Sequence, residues 1–392
     1  MQAALTDKPS TDRPARNIPP TVQGLEGVVA SATRLSQVDG EAGELTLAGF
    51  PLAELAGRAS FEEVVHLLWH DRLPRTAELT DLRRQLVSRR ELPEPTLELL
   101  RHAARVGASA MDALRMAAGT LSLGRATEDP QEAALTLVAS FPTIVGSYWR
   151  LLQGQEPLPP RDDLGHAASY LYQLTGEAPS EERIRGLEIY LLTVADHGFN
   201  ASTFTARVVV STDSDLVSAI AGAVGTLKGP LHGGAPGPAL DMVLEIGEAE
   251  RAEEYLRAKL ARGERLMGFG HRVYRVRDPR ADVLAVAAER FYAKEGDGDL
   301  YQLAMAVEKV ALGLLREHKP GRRLDTNVEY YTALLLLGLG LPNALFTPTF
   351  AVSRVAGWTA HALEQLGEGR LIRPRSAYVG DTDRRWVPIE ER

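Results

Sequence analysis

Helical periodicity runs through almost the whole chain, and it constrains the fold more than any other feature of the sequence. Ser60 and Glu63 form the capping box that is typical of a helix N-terminus. Apolar residues then recur at the 0, 3, 4, 7 and 8 spacing of one helix face: Phe61, Val64, Val65, Leu68 and Trp69. Ser180 and Ser214 are predicted to begin two further helices. Strand signals are sparse after residue 47, so the sequence predicts an all-α protein.

The clearest strand signal lies near the N-terminus. Residues 28–47 place the turn-forming pair Asp39-Gly40 between β-branched and apolar residues, a pattern typical of a small hairpin. Residues 1–20 precede it with four prolines and mixed charge, and we expect them to form a mobile tail. A chain of 392 residues, at about 150 residues per domain, suggests two or three domains.

Charge and cysteine content exclude several classes of protein. The formal net charge is −8, which argues against a general nucleic-acid binder. There is no Cys, so disulfides, thiolate metal sites and Cys nucleophiles are excluded. The longest apolar run, residues 330–341, is shorter than the roughly 20 residues of a membrane span, and residues 6–20 lack the apolar region of a signal peptide. We expect a cytoplasmic protein that binds neither nucleic acid nor membrane.

Residues 215–227 form a predicted helix that is rich in small side chains. They include Ser218, Ala219, Ala221, Gly222, Ala223 and Gly225. Small residues let helix backbones approach closely, which suits a helix–helix seam. Two interpretations remain open, an internal packing helix and a seam between two subunits.

Basic residues concentrate between residues 257 and 280. This stretch of 24 residues has eight basic side chains and two acidic ones, although the chain as a whole is acidic. The N-terminal part, 257–262, is interpreted as a solvated helix face. The later basic residues flank Gly268-Phe269-Gly270-His271, where glycines allow a ligand to approach the backbone. This favours a small ligand that carries phosphate or carboxylate groups. A dinucleotide fingerprint is not present, because Val273 stands where the third glycine belongs.

Most of the nine histidines have no chemical neighbourhood that the sequence reveals. His66 and His70 have the spacing of a helical metal pair, but no accompanying carboxylate motif is present. We interpret them as part of a wet helix face. His197, His232 and His271 differ, because each lies in a polar or Gly-rich break between helices. Imidazole can donate or accept a proton near neutral pH, so His232 and His271 are candidates for an electrophilic pair.

Six ordered segments carry a resemblance to a known family. They are ADHGFNAST (195–203), LKGPLHGG (227–234), MGFGHRVYRVRDPRA (267–281), TNVEYY (326–331), SRVAGW (353–358) and RPRSAYVG (373–380). Together they closely resemble the citrate synthase family, over the chain from about Leu25 to the C-terminus.

The resemblance implies an almost wholly helical two-domain fold and a clasped homodimer. The expected division is a large domain in two parts, residues 21–233 and 331–392, with a small helical domain inserted at 234–330. The expected reaction joins acetyl-CoA to oxaloacetate and hydrolyses the citryl thioester, in a cleft whose closure expels water. It needs neither a metal nor a nicotinamide cofactor. The CoA thioester is a substrate and not a cofactor.

The resemblance also implies catalytic roles. His232 would donate a hydrogen bond to the thioester carbonyl, His271 would protonate the oxaloacetate carbonyl as it becomes an alkoxide, and Glu329 would be the carboxylate base. Oxaloacetate would be bound by four residues: His197, Arg280, Arg354 and, from the partner subunit, Arg373. CoA would be bound by a loop and one arginine: Leu266, Met267, Gly268, Phe269, Gly270 and Arg275. Arg272 and Arg277 match the phosphate-binding role more loosely.

Two positions depart from the family pattern. Most relatives have Asp where this chain has Glu329, and the longer side chain shifts the carboxylate by about 1 Å, a scale of misplacement that can cost roughly 10²-fold in rate. Asp325 is out of register with the Asn327-Val328 pair, and we expect it to form a surface ion pair or a helix cap. Pro236 follows the His232 loop and removes a backbone donor there.

The sequence leaves three activities open. The first is citrate synthesis from acetyl-CoA. The second is 2-methylcitrate synthesis from propionyl-CoA, which needs the same catalytic groups. The third is a weakly catalytic protein that binds CoA or oxaloacetate, which the Glu329 departure motivates.

Overall fold

The structure is a computed structural model, and sixteen α-helices and three short strands account for most of the part that it describes. The predicted tail, residues 1–20, lies outside the described residues. The structure describes residues 21–123, 127–233, 236–271, 273–382 and 384–392. The side chains of residues 236 and 368 are not described. The prediction of an all-α protein with a small N-terminal hairpin is confirmed.

The helices are numbered in chain order. They are α1 Leu52–Leu55, α2 Phe61–His70, α3 Thr76–Val87, α4 Glu94–Arg105, α5 Ala110–Thr120, α6 Pro130–Leu152, α7 His166–Thr175, α8 Glu181–Val194, α9 Ala201–Val210, α10 Leu216–Leu227, α11 Pro236–Ile246, α12 Ala252–Ala261, α13 Pro279–Tyr292, α14 Gly298–His318, α15 Val328–Gly338 and α16 Phe346–Glu368. The predicted capping box at the start of α2 is present, and Ser180 caps α8. The cap of α10 is Asp215 and not the predicted Ser214, because the Asp215 carboxylate accepts the Ser218 N–H at 2.8 Å.

The hairpin consists of β1 (Ser36–Asp39) and β2 (Glu44–Leu47), which pair antiparallel, and a two-residue strand β3 (Phe50–Pro51) extends the sheet. Its turn packs against a loop far along the chain. The Gly40 carbonyl accepts the Arg275 N–H at 2.8 Å, and a Cβ at Gly40 would stand 2.3 Å from the Val273 carbonyl oxygen. Only glycine allows this approach, so the hairpin anchors the segment that follows His271.

The helix α16 is the central element of the core and packs against α2, α5, α6, α8, α9 and α10. Gly357 lets α16 lie close to the end of α8, because a Cβ there would be 2.3 Å from the Ala195 carbonyl oxygen. Helices α8 and α16 therefore bring their polar residues into one buried region.

The small-residue helix α10 packs on α9 and α5 within the chain. Gly222 faces Thr205 of α9, and Gly225 faces Arg115 of α5, each at 3.4 Å from the position of a Cβ. The interpretation as an internal packing helix is therefore confirmed, and a further seam between subunits stays a prediction.

The described chain divides into two compact units. Residues 33–371 form the first unit, which contains every α-helix named above. The described residues up to Ala32, with Ile372–Arg392, form the second. The inserted domain predicted at 234–330 is a finer division of the first unit and stays a prediction. No single helix of the described residues is long and apolar enough to cross a membrane. Two successive helices, Val328–Gly338 and Asn343–Gly367, are long and apolar enough only when taken together, and they are bent by 120° relative to each other.

Candidate active site

His197 and His271, from two separate loops, lie side by side. Their ring centroids are 5.9 Å apart. His271 accepts two backbone hydrogen bonds at Nδ1, from the N–H groups of Val273 (3.0 Å) and Tyr274 (3.1 Å). Burial and then the charge of Arg280 lower the pKa of His271 to about 4, so its ring is neutral. A neutral imidazole has one proton, and with Nδ1 occupied as an acceptor that proton belongs on Nε2.

Arg280 points its guanidinium at the same place. Its Nη2 lies 3.3 Å from His271 Nε2. Since Nε2 carries the proton, these are two donors that face each other and cannot bond to one another. Each is instead able to donate to an oxygen acceptor.

Asp278 fixes the position of Arg280. Its carboxylate accepts Arg280 Nε at 3.0 Å and Nη2 at 2.8 Å, a bidentate pair in which both side chains are buried. The same carboxylate caps α13 and accepts the Val328 N–H at 3.2 Å. Burial alone would raise the pKa of Asp278, but the Arg280 charge holds it below its usual value. Asp278 thus joins the arginine to the residue that precedes Glu329.

Glu329 lies in the first turn of α15. Asn327 caps this helix by accepting the Glu329 N–H at 3.0 Å, and it donates to the Gly270 carbonyl at 2.8 Å. Among the described residues the Glu329 carboxylate has no hydrogen-bond partner. Burial raises its pKa to about 7, with Asp278 adding to the rise while Arg280 and Arg354 oppose it. A carboxyl group with this pKa can gain and lose a proton near neutral pH.

Asp325 plays a different part from the one we expected. It neither caps α15, a role taken by Asn327, nor forms an ion pair with any described residue. Its backbone carbonyl accepts the Gly270 N–H at 2.8 Å. Asp325 therefore contributes to the loop through its main chain.

Arg354 on α16 is a buried cation with an unused donor. Its Nε donates to the Val194 carbonyl at 2.7 Å, and its guanidinium lies 4.5 Å from the centre of the Phe350 ring. Its Nη2 is buried and has no hydrogen-bond partner among the described residues. Burial lowers the pKa of Arg354 to about 10, so it stays charged at neutral pH. A buried cation with a free donor suits an anionic ligand.

His232 lies beside Ser202 and Trp358. The Ser202 hydroxyl is 2.8 Å from His232 Nε2 and accepts the Trp358 indole N–H at 3.0 Å. Burial and then Arg354 lower the pKa of His232 to about 4, so this ring is also neutral. Pro236 is the first residue of α11, where a helix tolerates the missing N–H.

Asp196 anchors the loop that carries His197. It is buried, accepts the Ser36 hydroxyl at 2.5 Å and pairs with His361 at 3.2 Å. The Ser36 hydroxyl accepts the Gly198 N–H at 2.8 Å. Strand β1 and helix α16 therefore hold this loop from two sides.

The predicted CoA loop, Leu266 to Gly270, has the backbone that its glycines suggest. Gly268 and Gly270 have φ values of +88° and +80°, and Phe269 forms a β-bridge with Thr326. Arg275 is exposed and free to reach a phosphate.

The other cationic residues are placed differently. The Arg277 guanidinium is engaged by Glu308 at 2.9 Å and Asp282 at 2.5 Å, which argues against a phosphate role. Arg272 lies outside the described residues. Arg373 is exposed and belongs to the unit that contains Ile372–Arg392, so its role stays a prediction.

The interpretation of His66 as part of a wet helix face is wrong. His66 is buried and its Nδ1 lies 3.0 Å from the Arg72 carbonyl, whereas His70 is exposed. Helix α2 is buried on nearly every side, so its polar residues do not form a solvated stripe. Across the part of the chain that the structure describes, no group of three or more His, Asp or Glu residues is arranged to hold a metal.

Sequence reasoning missed four residues of this cluster. They are Asp278, Tyr274, Ser202 and Tyr190. The Asp-Pro pair at 278–279 is a helix-start signature and could have marked Asp278 as a cap. Tyr190 is buried, its hydroxyl has no described partner, and Glu329 is among the groups that raise its pKa. No sequence pattern distinguishes it from a core tyrosine.

The geometry thus places three neutral histidines, two buried arginines and an unpaired carboxyl group in one cluster. Comparison with known proteins shows the family of this chain. The family model described as "Citrate synthase, C-terminal domain" matches residues 24–375. The chain belongs to the citrate synthase family.

Relatives within the citrate synthase family carry two names. "Citrate synthase 2" of Bacillus subtilis is 42% identical over 376 residues, covering 94% of this chain and 99% of the relative. The 2-methylcitrate synthase of Mycobacterium tuberculosis is 40% identical over 373 residues, covering 93% and 92%. The citrate synthase of Thermoplasma acidophilum, solved as a ternary complex with carboxymethyl coenzyme A and oxaloacetate, has a TM-score of 0.85 and 31% identity, covering 94% of this chain and 98% of that one. This chain is therefore an enzyme of the condensing transferase type.

Proposed function

We propose that this enzyme condenses acetyl-CoA with oxaloacetate and water to give citrate and CoA. The observation that carries the proposal is the Glu329 carboxyl group, which has a pKa of about 7 and no described partner. It lies in a cluster whose other groups, His271 and Arg354, offer free donors. A base beside free donors suits the formation of an enol and its attack on a carbonyl.

Oxaloacetate carries two carboxylates and one ketone, and the cluster offers a partner for each. Arg280 and Arg354 bind the carboxylates, with Arg373 of the partner subunit as a third cation. His271 donates its Nε2 proton to the ketone oxygen. His197 lines the same pocket and orients the substrate. Charge-assisted bonds to buried arginines supply most of the affinity for such a dianion.

Carbon–carbon bond formation uses Glu329, His232 and His271. Glu329 takes a proton from the acetyl methyl group while His232 donates a hydrogen bond to the thioester oxygen. The enol carbon attacks the ketone carbon of oxaloacetate, and His271 gives its proton to the resulting alkoxide. Water then hydrolyses the citryl thioester, which releases citrate and CoA.

The CoA moiety binds the loop from Leu266 to Gly270, with Arg275 near its phosphates. Neither a metal nor a nicotinamide takes part, since the chemistry is proton transfer and carbon–carbon bond formation. We place the site in a cleft between the large domain and an insertion at 234–330.

Propionyl-CoA is the alternative acyl donor, which the 40% identity to 2-methylcitrate synthases supports. Steady-state thiol release should be measured with acetyl-CoA and with propionyl-CoA, each with oxaloacetate. We expect release with acetyl-CoA at the higher kcat/KM. A preference for propionyl-CoA would favour 2-methylcitrate synthesis. Binding of both substrates without thiol release would favour the weakly catalytic binding protein.

Substitution of Arg280 should mainly weaken oxaloacetate binding. Arg280→Ala removes the buried guanidinium that Asp278 holds in place beside His271, and we expect the KM for oxaloacetate to rise by about 10²-fold. Arg280→Lys keeps the charge and loses the fork, so it should recover only part of the loss. Steady-state kinetics with varied oxaloacetate measures both effects. An unchanged KM in Arg280→Ala would contradict this assignment.

Arg373 should act in the partner's site, which requires a dimer. We expect a dimer by sedimentation at all concentrations that support activity. Mixing inactive Arg373→Ala with inactive His271→Ala should restore activity, because mixed dimers contain one intact site. A fully active monomer, or no recovery on mixing, would contradict the role in trans.

A further inference from the structure

Tyr274 contacts His197, His271 and Arg280, and no role has yet been assigned to it. Its hydroxyl lies 3.1 Å from His197 Nε2, and its backbone N–H donates to His271 Nδ1 at 3.1 Å. Its ring centroid is 5.6 Å from that of His197 and 4.9 Å from that of His271. The Arg280 guanidinium lies 5.9 Å from the centre of the same ring. One side chain thus touches three residues that we assign to oxaloacetate.

The backbone of Tyr274 is fixed on both sides. The carbonyl of Val273 packs against Gly40, and the N–H of Arg275 donates to the Gly40 carbonyl at 2.8 Å. The hairpin turn therefore contacts both Val273, which precedes Tyr274, and Arg275, which follows it. Tyr274 itself is 2% exposed, so its ring has little freedom to move.

The bond between Tyr274 and His197 joins two neutral groups. Burial raises the pKa of the Tyr274 phenol, which stays protonated. Burial, followed by Arg280, Arg354 and His271, holds the pKa of His197 well below its usual value. Apart from His197, the Tyr274 hydroxyl has no hydrogen-bond partner among the described residues. A neutral bond of this kind fixes the orientation of the His197 ring without adding charge to the pocket.

We propose that Tyr274 is a positioning residue that fixes His197 relative to His271 and so sets the affinity for oxaloacetate. This rests on the proposed function, because it assigns these histidines to the oxaloacetate pocket. Tyr274 acts through its hydroxyl on His197, while its main-chain N–H holds His271. Removing the hydroxyl alone leaves the His271 bond intact, so binding and turnover should respond differently.

Tyr274→Phe tests the proposal. A single hydrogen bond to a neutral group contributes a factor of about two to ten, so we expect both the KM and the Kd for oxaloacetate to rise by about fivefold. The kcat and the KM for acetyl-CoA should stay within about twofold. Thiol release gives the kinetic constants, and calorimetry with oxaloacetate alone gives the Kd.

Tyr292→Phe is the matched control. Tyr292 is also a buried tyrosine, and its hydroxyl donates to the Leu334 carbonyl at 2.8 Å. We expect this variant to lose thermal stability to a similar extent while its KM for oxaloacetate is unchanged. Equal rises in the KM for oxaloacetate in the two variants would overturn the proposal. An unchanged Kd for oxaloacetate in a folded Tyr274→Phe variant would also overturn it.

The two proposals fail in different ways. A wild-type protein that binds oxaloacetate but releases no thiol contradicts the proposed function, and the Kd comparison still decides the role of Tyr274. A wild-type protein that does not bind oxaloacetate overturns both. Wild-type activity with an unaltered Tyr274→Phe overturns the role of Tyr274 alone.

Discussion

His271→Ala is expected to lower kcat by about 10²- to 10⁴-fold, the range typical for loss of a positioned proton donor. The physical reason is that His271 keeps its proton on Nε2, since Nδ1 accepts the N–H groups of Val273 and Tyr274. The KM for acetyl-CoA should change by less than about threefold, because the interaction develops in the transition state. Steady-state thiol release measures both constants.

His102→Ala serves as the control for this substitution. His102 is an exposed residue of α4, and its replacement should leave both constants at the wild-type values. Normal turnover in His271→Ala would contradict the role of His271. A large rise in the KM for acetyl-CoA with unchanged kcat would assign His271 to CoA binding instead.

Local sequence signals predicted much of the fold. The capping box at Ser60 and the cap at Ser180 depend on neighbours within three residues, and both are present. At the start of α10 two adjacent residues could each act as a cap, and the sequence did not show that Asp215 would take that role. His66 was misplaced because a single apolar stripe predicts one buried face, whereas tertiary packing covers α2 almost completely.

The candidate site was predicted in its reactive groups and missed in its supporting contacts. His232 and His271 lie in Gly-rich breaks that the sequence displays directly. Their partners Ser202 and Tyr274 were not recognised, because a hydroxyl near an imidazole is a result of packing between segments. The same holds for the contact between Gly40 and Val273, which are more than 200 residues apart in the chain. No local pattern encodes such a contact.

Glu329→Gln is expected to reduce proton abstraction by about 10³-fold or more, because the amide keeps the size of the side chain and lacks its basicity. Glu329 has a pKa raised to about 7, so a substantial fraction is ionised at neutral pH and its basicity is greater than that of an exposed carboxylate. Asn327 holds it at the start of α15, facing Arg280 and Arg354.

Asp325→Asn is the matched control, since it makes the same carboxylate-to-amide change four residues earlier. Asp325 contributes to the loop through its carbonyl, which accepts the Gly270 N–H and is retained in the variant. We expect its rate of proton abstraction to stay within about threefold of wild type. Thermal unfolding of both variants should show that each is folded.

Exchange of the acetyl-CoA methyl protons with heavy water, in the presence of a bound unreactive oxaloacetate analogue, tests the central claim most directly. The measurement isolates proton abstraction from condensation and hydrolysis. We predict exchange in wild type and in Asp325→Asn, and almost none in Glu329→Gln. Exchange that persists in Glu329→Gln and is lost in Asp325→Asn would contradict the assignment of Glu329 as the base.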